Sequence, residues 1–424
     1  MLVTESRPRN LNWFHAGPLL FGDWGTSRLY VLGLAFYYTG HASPLYMTVM
    51  AAVMAAVAWA YTIICRCFPE GGGDAAAAGK AFGDAWGFPP MGALIVDFAL
   101  TIAISVAAAT SAIISYVPDL SGWRVPLAVG LCCVVAGITW FGHLGRVLFA
   151  AFTLVFLAVA VVVEARGWIS PAAADAVKTA HDAAHPAHAA FVAVILAFPV
   201  AMALATGVEA PLTAIAQLGQ LDNLGRKLFG RLTLVLTLGI VGGLTLTLTA
   251  LAVHLDVGVP IGDTTQIADI AKAATGDGAI YAAFQATSAV LLLSAASSSF
   301  AAGPGLLKAL ARTPGNALGI LPEPLGRTNH HHTPYWAVLI FLGCSAGVVV
   351  GSAPPLPSRR QLPSSPSSWD SRSAFLDCRR PRILGPSARR RRRPSSSPRR
   401  RGRWWAAPRS GRGRSGRRCP IAIN

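Results

Sequence analysis

Charged residues are scarce in this sequence. Asp, Glu, Lys and Arg make up 13% of its 424 residues, whereas roughly 25% is usual in soluble domains. Hydrophobic residues make up 53%, and the mean hydropathy is +0.49. This composition excludes a conventional soluble enzyme and favours one polytopic membrane domain.

The motifs of several other protein classes are missing too. The seven cysteines include no CxxC pair and no zinc spacing, so we expect neither a disulfide framework nor a metal cluster. Gly71–Gly73 and Lys80 are wrongly spaced for a phosphate-binding loop. His330–His332 are better explained as a loop than as metal ligands. We expect no cofactor, no enzymatic activity and no transport driven by ATP.

The formal charge of +17 comes from one end of the chain. Residues 1–350 contain 16 basic and 17 acidic residues, whereas residues 351–424 contain 20 Arg and 2 Asp. The tail, residues 352–424, is rich in Arg, Pro and Ser and is predicted to be disordered. Its abrupt composition favours a frame-shift product that replaces a tenth span over a tail that binds nucleic acid or anionic lipid. We therefore expect no nucleic-acid partner.

Hydropathy predicts a transmembrane domain over residues 17–351, preceded by a cytoplasmic segment, residues 1–16, that lacks the pattern of a cleaved signal. Runs of this length are helical rather than strands of a barrel. Eleven basic residues fall on the side of the N-terminus and four on the other, which predicts a cytoplasmic N-terminus in the cell membrane. The nine candidate spans are 17–38, 45–67, 91–116, 125–141, 145–164, 189–210, 229–253, 278–302 and 334–351.

Two of these spans are interrupted at corresponding places. Residues 22–27 break the first span, and residues 206–211 break the sixth. Glycine and proline weaken a helix at membrane depth, and paired broken helices are typical of inverted-repeat transporters. Two kinked packing helices are the alternative. The pattern favours an all-α, LeuT-like bundle of five plus five helices, truncated after about nine spans.

Asp23 lies in the first break, where a carboxylate is costly and usually marks an ion path. Freed carbonyls and the hydroxyls of Thr26 and Ser27 would surround it with the oxygen ligands that hard cations prefer. A capping role is the alternative for Asp23. Tyr30 follows two helical turns later, as a ligand hydroxyl or an interfacial anchor.

Two further groups of polar residues are candidates. Asp97, Thr101 and Ser105 recur every four residues and form one polar stripe on the third span; hydrogen bonding between helices is the alternative. Thr206 and Glu209 flank the second break. Glu209 is a candidate proton carrier or a helix cap.

The sequence GDWGTSRLYVL at residues 22–32 resembles the signature of Kup-type potassium uptake proteins, members of the amino acid, polyamine and organocation (APC) superfamily. Residues 68–73, the polar stripe and residues 206–210 are similar to other APC members. The resemblance implies secondary transport by a five-plus-five fold. It also implies a potassium path lined by these matching residues: Asp23, Tyr30, Asp97, Thr101, Ser105 and Thr206. Arg28 stands where that motif commonly has proline.

The sequence leaves the substrate open. Asp23 would repel a substrate carboxylate, which favours potassium, yet Asp23 and Asp97 together are also suited to an amine. Import of potassium is the first hypothesis, an amino acid or polyamine permease is the second, and a truncated, non-functional membrane protein is the third. A proton or sodium ion as coupling ion, membrane lipid and a second copy of the chain are the other candidate partners.

Overall fold

The computed structural model describes residues 25–68, 73–141, 144–172, 198, 223–260, 264–312 and 319–352. Asp23, Thr206, Glu209 and the predicted sixth span, apart from residue 198, lie outside these residues, as does the tail after Ser352. The chain divides into two units, Met1–Cys378 and Arg379–Asn424, and the second unit lies wholly outside the described part.

The regular secondary structure of the described residues is helical, apart from one isolated bridge between Ala311 and Leu321. Short 3-10 helices cover Gly40–Ala42, Asp84–Gly87, Pro118–Trp123 and Glu323–Gly326. The α-helices are α1 (Arg28–Thr39), α2 (Ser43–Cys67), α3 (Gly73–Phe82), α4 (Phe88–Tyr116), α5 (Arg124–Trp140), α6 (Leu144–Ile169), α7 (Asn223–His254), α8 (Gln266–Thr275), α9 (Ala279–Leu310) and α10 (Tyr335–Gly351).

Six helical segments of the described part are long and apolar enough to cross a membrane. They are Ser43–Cys67, Asp84–Tyr116, Pro118–Trp140, Phe149–Ile169, Lys227–His254 and Ala279–Leu310. All six fall on predicted spans, and α10 is a shorter apolar helix at the ninth. The prediction of an all-α polytopic membrane protein is confirmed.

Helix α9 continues beyond the predicted eighth span, residues 278–302, through Pro304 to Leu310. Gly303, just before the proline, lies against the ring of Phe341 on α10. A Cβ added to Gly303 would come within 2.5 Å of that ring. Proline weakens a helix, but Gly303, Pro304 and Leu307 are all buried. Packing against α10 therefore holds this last part of α9 in place.

The buried side chains form two clusters. In one cluster α1, α2, α4, α6, α7, α8 and α9 meet, and its members include Leu32, Met50, Phe156 and Phe284. In the other, α4, α5, α9 and α10 meet around Ile102, Phe300 and Phe341. Helices α4 and α9 both contribute to the two clusters and pack along each other, and α9 also contacts α5, α6, α8 and α10. Helix α9 is the central helix of the described part.

Helix α8 lies outside the membrane-spanning segments but is almost entirely buried. The Thr265 side chain accepts a hydrogen bond from the N–H of Ala268 and caps its start. The Gln266 side chain packs against Gly33 of α1, with 3.4 Å between the Gln266 Cβ and an ideal Cβ at Gly33. Its Nε2 donates to the carbonyls of Val257 and Gly258 at 3.4 and 3.1 Å. Gln266 thus joins α8 to α1 and to the chain that follows α7.

Candidate substrate and cation site

The helical structure is interrupted where the first span was predicted to break. Gly25 is helical, Thr26 and Ser27 form a turn, and α1 begins at Arg28. Thr26 and Ser27 are each only 1% exposed. Two small hydroxyl side chains therefore lie inside the protein at this turn.

The hydroxyl groups of the turn are close to Tyr30. The Tyr30 hydroxyl donates to Ser27 Oγ at 3.2 Å. The carbonyl of Thr26 accepts from the N–H of Leu29 at 2.9 Å, and that of Ser27 accepts from Val31 at 3.0 Å. The first turn of α1 therefore uses both of these carbonyls, while residues 22–24, the rest of the predicted break, lie outside the described residues. The hydroxyl oxygens are the polar groups that this turn can offer to a ligand.

The predicted polar stripe lies on α4. Thr101 and Ser105 are buried, at 7% and 1% exposure, whereas Asp97 is half-buried. The hydroxyl of Ser105 has no hydrogen-bond partner among the described residues. Buried hydroxyls in membrane proteins usually form a hydrogen bond with a neighbouring helix. Because the Ser105 hydroxyl forms none within the described part, its oxygen is available to a ligand.

The two predicted groups are only partly brought together. Ser27 and Tyr30 are joined directly. Within the described part, no hydrogen bond or ion pair links Asp97, Thr101 or Ser105 to that turn. Ala109, one turn after Ser105, shares a buried cluster with residues of α1, so α4 and α1 belong to the same core. Asp23, Thr206 and Glu209, the remaining candidates, lie outside the described residues.

Two residues of opposite charge, Arg28 on α1 and Glu164 on α6, are buried. Arg28 is 1% exposed, and its guanidinium lies over the ring of Phe156 on α6, 5.3 Å from the centroid. The carboxylate of Glu164, also on α6 and 9% exposed, attracts the Arg28 charge. Glu164 Oε2 accepts from the hydroxyl of Thr247 on α7 at 2.7 Å.

Sequence reasoning passed over Glu164, although the signal was present. It is the single acidic residue of the 26-residue helix α6, and an ionisable group inside a span is a functional candidate by default. The sequence did not reveal its partner, because Arg28 lies on a distant segment of the chain.

Helix α9 carries polar groups that the sequence analysis did not single out. Gln285 Nε2 donates to the Tyr281 hydroxyl at 3.0 Å, which itself donates to the Ser115 carbonyl of α4 at 3.1 Å. Three buried serine hydroxyls of α9 have no hydrogen-bond partner in the described part: Ser288, Ser294 and Ser299. Serine is common in membrane helices as a packing residue, so a run of serines alone did not stand out.

The short helix α8 holds charged groups outside the spans. The Thr264 hydroxyl donates to Asp269 Oδ2 at 3.2 Å, and Lys272 forms an ion pair with Asp277 at 2.9 Å. Burial raises the pKa of the Asp269 carboxyl to about 6, although the Thr264 hydrogen bond and the Lys272 charge oppose this. The hydrogen bond from Lys272 to Asp277 is the largest cause that raises the Lys272 pKa.

Comparison with known proteins adds a family and a relative. The sequence model of the family described as "Amino acid permease" matches residues 11–353. The chain is also 28% identical over 302 residues to the potassium transporter KimA of Bacillus subtilis (strain 168). That alignment covers 68% of this chain and 48% of the relative. The chain therefore spans about half the length of the relative that it matches.

Proposed function

Because the chain belongs to the amino acid permease family, we propose that it is a secondary active transporter that imports potassium through a site at the broken first and sixth helices. The family and the relative are transporters, and the protein is a multi-pass membrane protein of the APC superfamily. Membership of the family indicates transport, and the side chains of the candidate site indicate which substrate is transported.

The observation that carries the proposal is the cluster of hydroxyls at the start of α1, which is buried at Thr26 and Ser27 and half-buried at Tyr30. Thr26, Ser27 and Tyr30 place oxygen atoms at this turn, and Ser27 and Tyr30 lie within hydrogen-bond distance of each other. Oxygen ligands suit a hard alkali cation. Asp23 precedes Thr26 by three residues and adds the negative charge that a cation needs.

The similarity to KimA supports the same substrate. KimA is a potassium transporter, and the alignment covers about two thirds of this chain. Asp97, Thr101 and Ser105 supply a second set of oxygen atoms on α4, and the break near Thr206 completes the proposed path.

Transport of an amino acid or polyamine is the second candidate, and the description of the family favours it. A substrate amine is a cation that Asp23 and Asp97 could pair with, whereas a substrate carboxylate would be repelled by Asp23 unless that charge is neutralised. Local electrostatics therefore favour potassium over an amino acid.

The remaining features of the proposal concern coupling and placement. We propose a proton or sodium ion as the coupling ion, with Glu209 as the candidate proton carrier. The excess of basic residues on one side supports a cytoplasmic N-terminus in the cell membrane. A homodimer and bound lipid belong to the same proposal.

The proposal is tested by thermal unfolding of the purified protein in detergent. Chlorides of potassium, rubidium, sodium and choline are compared at equal ionic strength, together with amino acids and polyamines. A ligand that binds the folded state stabilises it by about 2.7 kcal/mol at a hundredfold excess over its Kd. We expect potassium and rubidium to raise Tm, and Asp23→Asn to abolish this shift while the protein still inserts into membranes.

Tyr30→Phe tests the hydroxyl cluster directly, because it removes the Tyr30 donor to Ser27 and keeps the ring. Tyr38→Phe is the matched control, since Tyr38 is also on α1 and packs against the same core. We expect weaker potassium binding in Tyr30→Phe and unchanged binding in Tyr38→Phe. Stabilisation by an amino acid or amine in place of potassium would select the second candidate, and unchanged potassium affinity in Asp23→Asn would remove Asp23 from the site.

A further inference from the structure

Helices α6 and α7 share a buried carboxyl group that the proposed potassium site does not use. Glu164 is 9% exposed and lies five residues before the end of α6, and Thr247 lies seven residues before the end of α7. The rings of Trp168 and His254 stack 4.7 Å apart at the same ends of the two helices. A carboxyl group inside a membrane span usually belongs to an ion or proton path.

The Thr247 hydroxyl lies close to two hydrogen-bond acceptors. Its oxygen is 2.7 Å from Glu164 Oε2 and 2.9 Å from the carbonyl oxygen of Gly243, one turn earlier on α7. The Leu244 carbonyl is farther away, at 3.3 Å. A hydroxyl group has one hydrogen and two lone pairs, so Thr247 makes a full hydrogen bond to only one of these oxygens at a time.

The neighbouring threonines of α7 indicate one of the two arrangements. Thr245 and Thr249 each donate to the carbonyl four residues earlier, both at 2.6 Å, a common bond for threonine in a helix. If Thr247 donates to Gly243 in the same way, its oxygen can accept a hydrogen bond from Glu164. Only a protonated carboxyl can donate that bond. The same positions of the atoms therefore suit both the ionised and the protonated form of Glu164.

The second carboxyl oxygen also bears on the choice between the two forms. Glu164 Oε1 is buried and has no hydrogen-bond partner among the described residues. A buried oxygen without a partner costs more free energy when it shares a negative charge than when it is neutral. Protonation at Oε2 removes that charge, and Thr247 then accepts the new hydrogen.

Helices α5, α7, α8 and α9 pack against α6, and charged groups on them and on α1 could influence Glu164. The charge of Arg28 on α1 acts on it, so Arg28 is kept in every variant below. The other helices carry these titratable groups: Arg124 at the start of α5, His254 on α7, Asp269 and Lys272 on α8, and Tyr281 on α9. In the described part, none of them forms a hydrogen bond or an ion pair with Glu164.

We propose that Glu164 and Thr247 form a proton-binding site whose carboxyl group takes up and releases a proton during transport. On uptake, a proton from water forms an O–H bond at Glu164 Oε2, and the Thr247 hydrogen turns to the Gly243 carbonyl. On release, the proton returns to water and Thr247 donates to the carboxylate again. The part played in transport rests on the proposed function, whereas the binding of a proton does not.

Infrared difference spectra of the full chain in detergent, between about pH 5 and about pH 9, test the site through the carbonyl stretch of protonated carboxyl groups. We expect wild type to gain a band in acid that Glu164→Gln lacks. Thr247→Val should shift this band, because the acid loses its acceptor. Thr249→Val is the matched control and should leave the band in place, since the Thr249 hydroxyl bonds the Thr245 carbonyl.

Three results would overturn the site: equal difference spectra in wild type and Glu164→Gln, a Glu164 band that does not change with pH, or a band unmoved in Thr247→Val. Glu164→Gln is a mild change, because the glutamine amide can donate to Thr247 as the acid does. If this variant nevertheless fails to fold, the comparison of Thr247→Val with Thr249→Val decides.

The role in transport is tested by rubidium uptake into proteoliposomes, with and without an inward proton gradient. We expect the gradient to accelerate uptake by wild type and by Glu323→Gln, a control at an exposed glutamate that pairs with Arg327, but not by Glu164→Gln. Equal acceleration in Glu164→Gln would overturn the coupling role alone. A wild-type protein that takes up no rubidium would overturn the proposed potassium transport and the coupling role with it, whereas the infrared band still decides whether Glu164 binds a proton.

Discussion

The Asp269 carboxyl on α8 should make the stability of the folded protein depend on pH. Burial raises its pKa from the ordinary value of 3.8 to about 6. A group whose pKa is higher in the folded state is protonated more readily there, so folding is favoured as the pH falls through the folded pKa. From about pH 7.5 to about pH 4.5 this single group should add about 2 kcal/mol to the free energy of unfolding.

Asp269→Asn removes the titration and keeps a carbonyl oxygen that can accept from Thr264. The measurement is Tm in detergent across this pH range for wild type and variant, because subtracting the two profiles cancels the other titrating groups. We expect the variant to be more stable near neutral pH, by several degrees, and the two profiles to converge in acid. Parallel profiles, or divergence in acid, would refute the reasoning.

Two further predictions concern helices α4 and α9. Asp97→Asn should weaken potassium binding more than Ser105→Ala does, because it removes a charge rather than a neutral ligand; the Tm shift with potassium measures both, and the reverse order would contradict the polar-stripe model. Gly303→Ala places a Cβ 2.5 Å from the Phe341 ring, and we expect this overpacking to cost about 1–3 kcal/mol. Gly305→Ala on the same helix, with nothing within 4 Å, is the control, and an equal loss of Tm in both would reject the packing argument.

The membrane helices could be predicted because their signal is local. Residues 45–67, for example, form one apolar run, and the observed α2 starts and ends within two residues of it. The short helices α3 and α8 were missed. Helix α8 is only ten residues long, and contacts with α1, α6 and α9 bury it. Such burial depends on distant parts of the chain and leaves no long apolar run in the sequence.

In the candidate site, too, local features could be predicted from the sequence, whereas contacts between distant segments could not. The break at Thr26 and Ser27 was visible as a local motif, and the structure places a turn there. The interaction between Arg28 and Glu164 joins helices that are far apart in sequence, so composition and spacing could not predict it. Pro304 lies inside α9, where its neighbour Gly303 packs against Phe341, and hydropathy alone did not reveal that contact.

The close packing of Gln266 against Gly33 restrains the movement of α1 relative to α8. Gln266 is 2% exposed and bonds the backbone beyond α7 while its stem touches α1. If α1 moves, either α8 moves with it, or the contact breaks and the buried side-chain amide of Gln266 becomes exposed to solvent. Helix α6 also packs closely against its neighbours. A Cβ added to Gly167 of α6 would meet Leu251 of α7 at 2.8 Å and Ala274 of α8 at 3.2 Å. Contacts of α8 with α1, α6 and the chain after α7 therefore restrain α1 on this side of the protein.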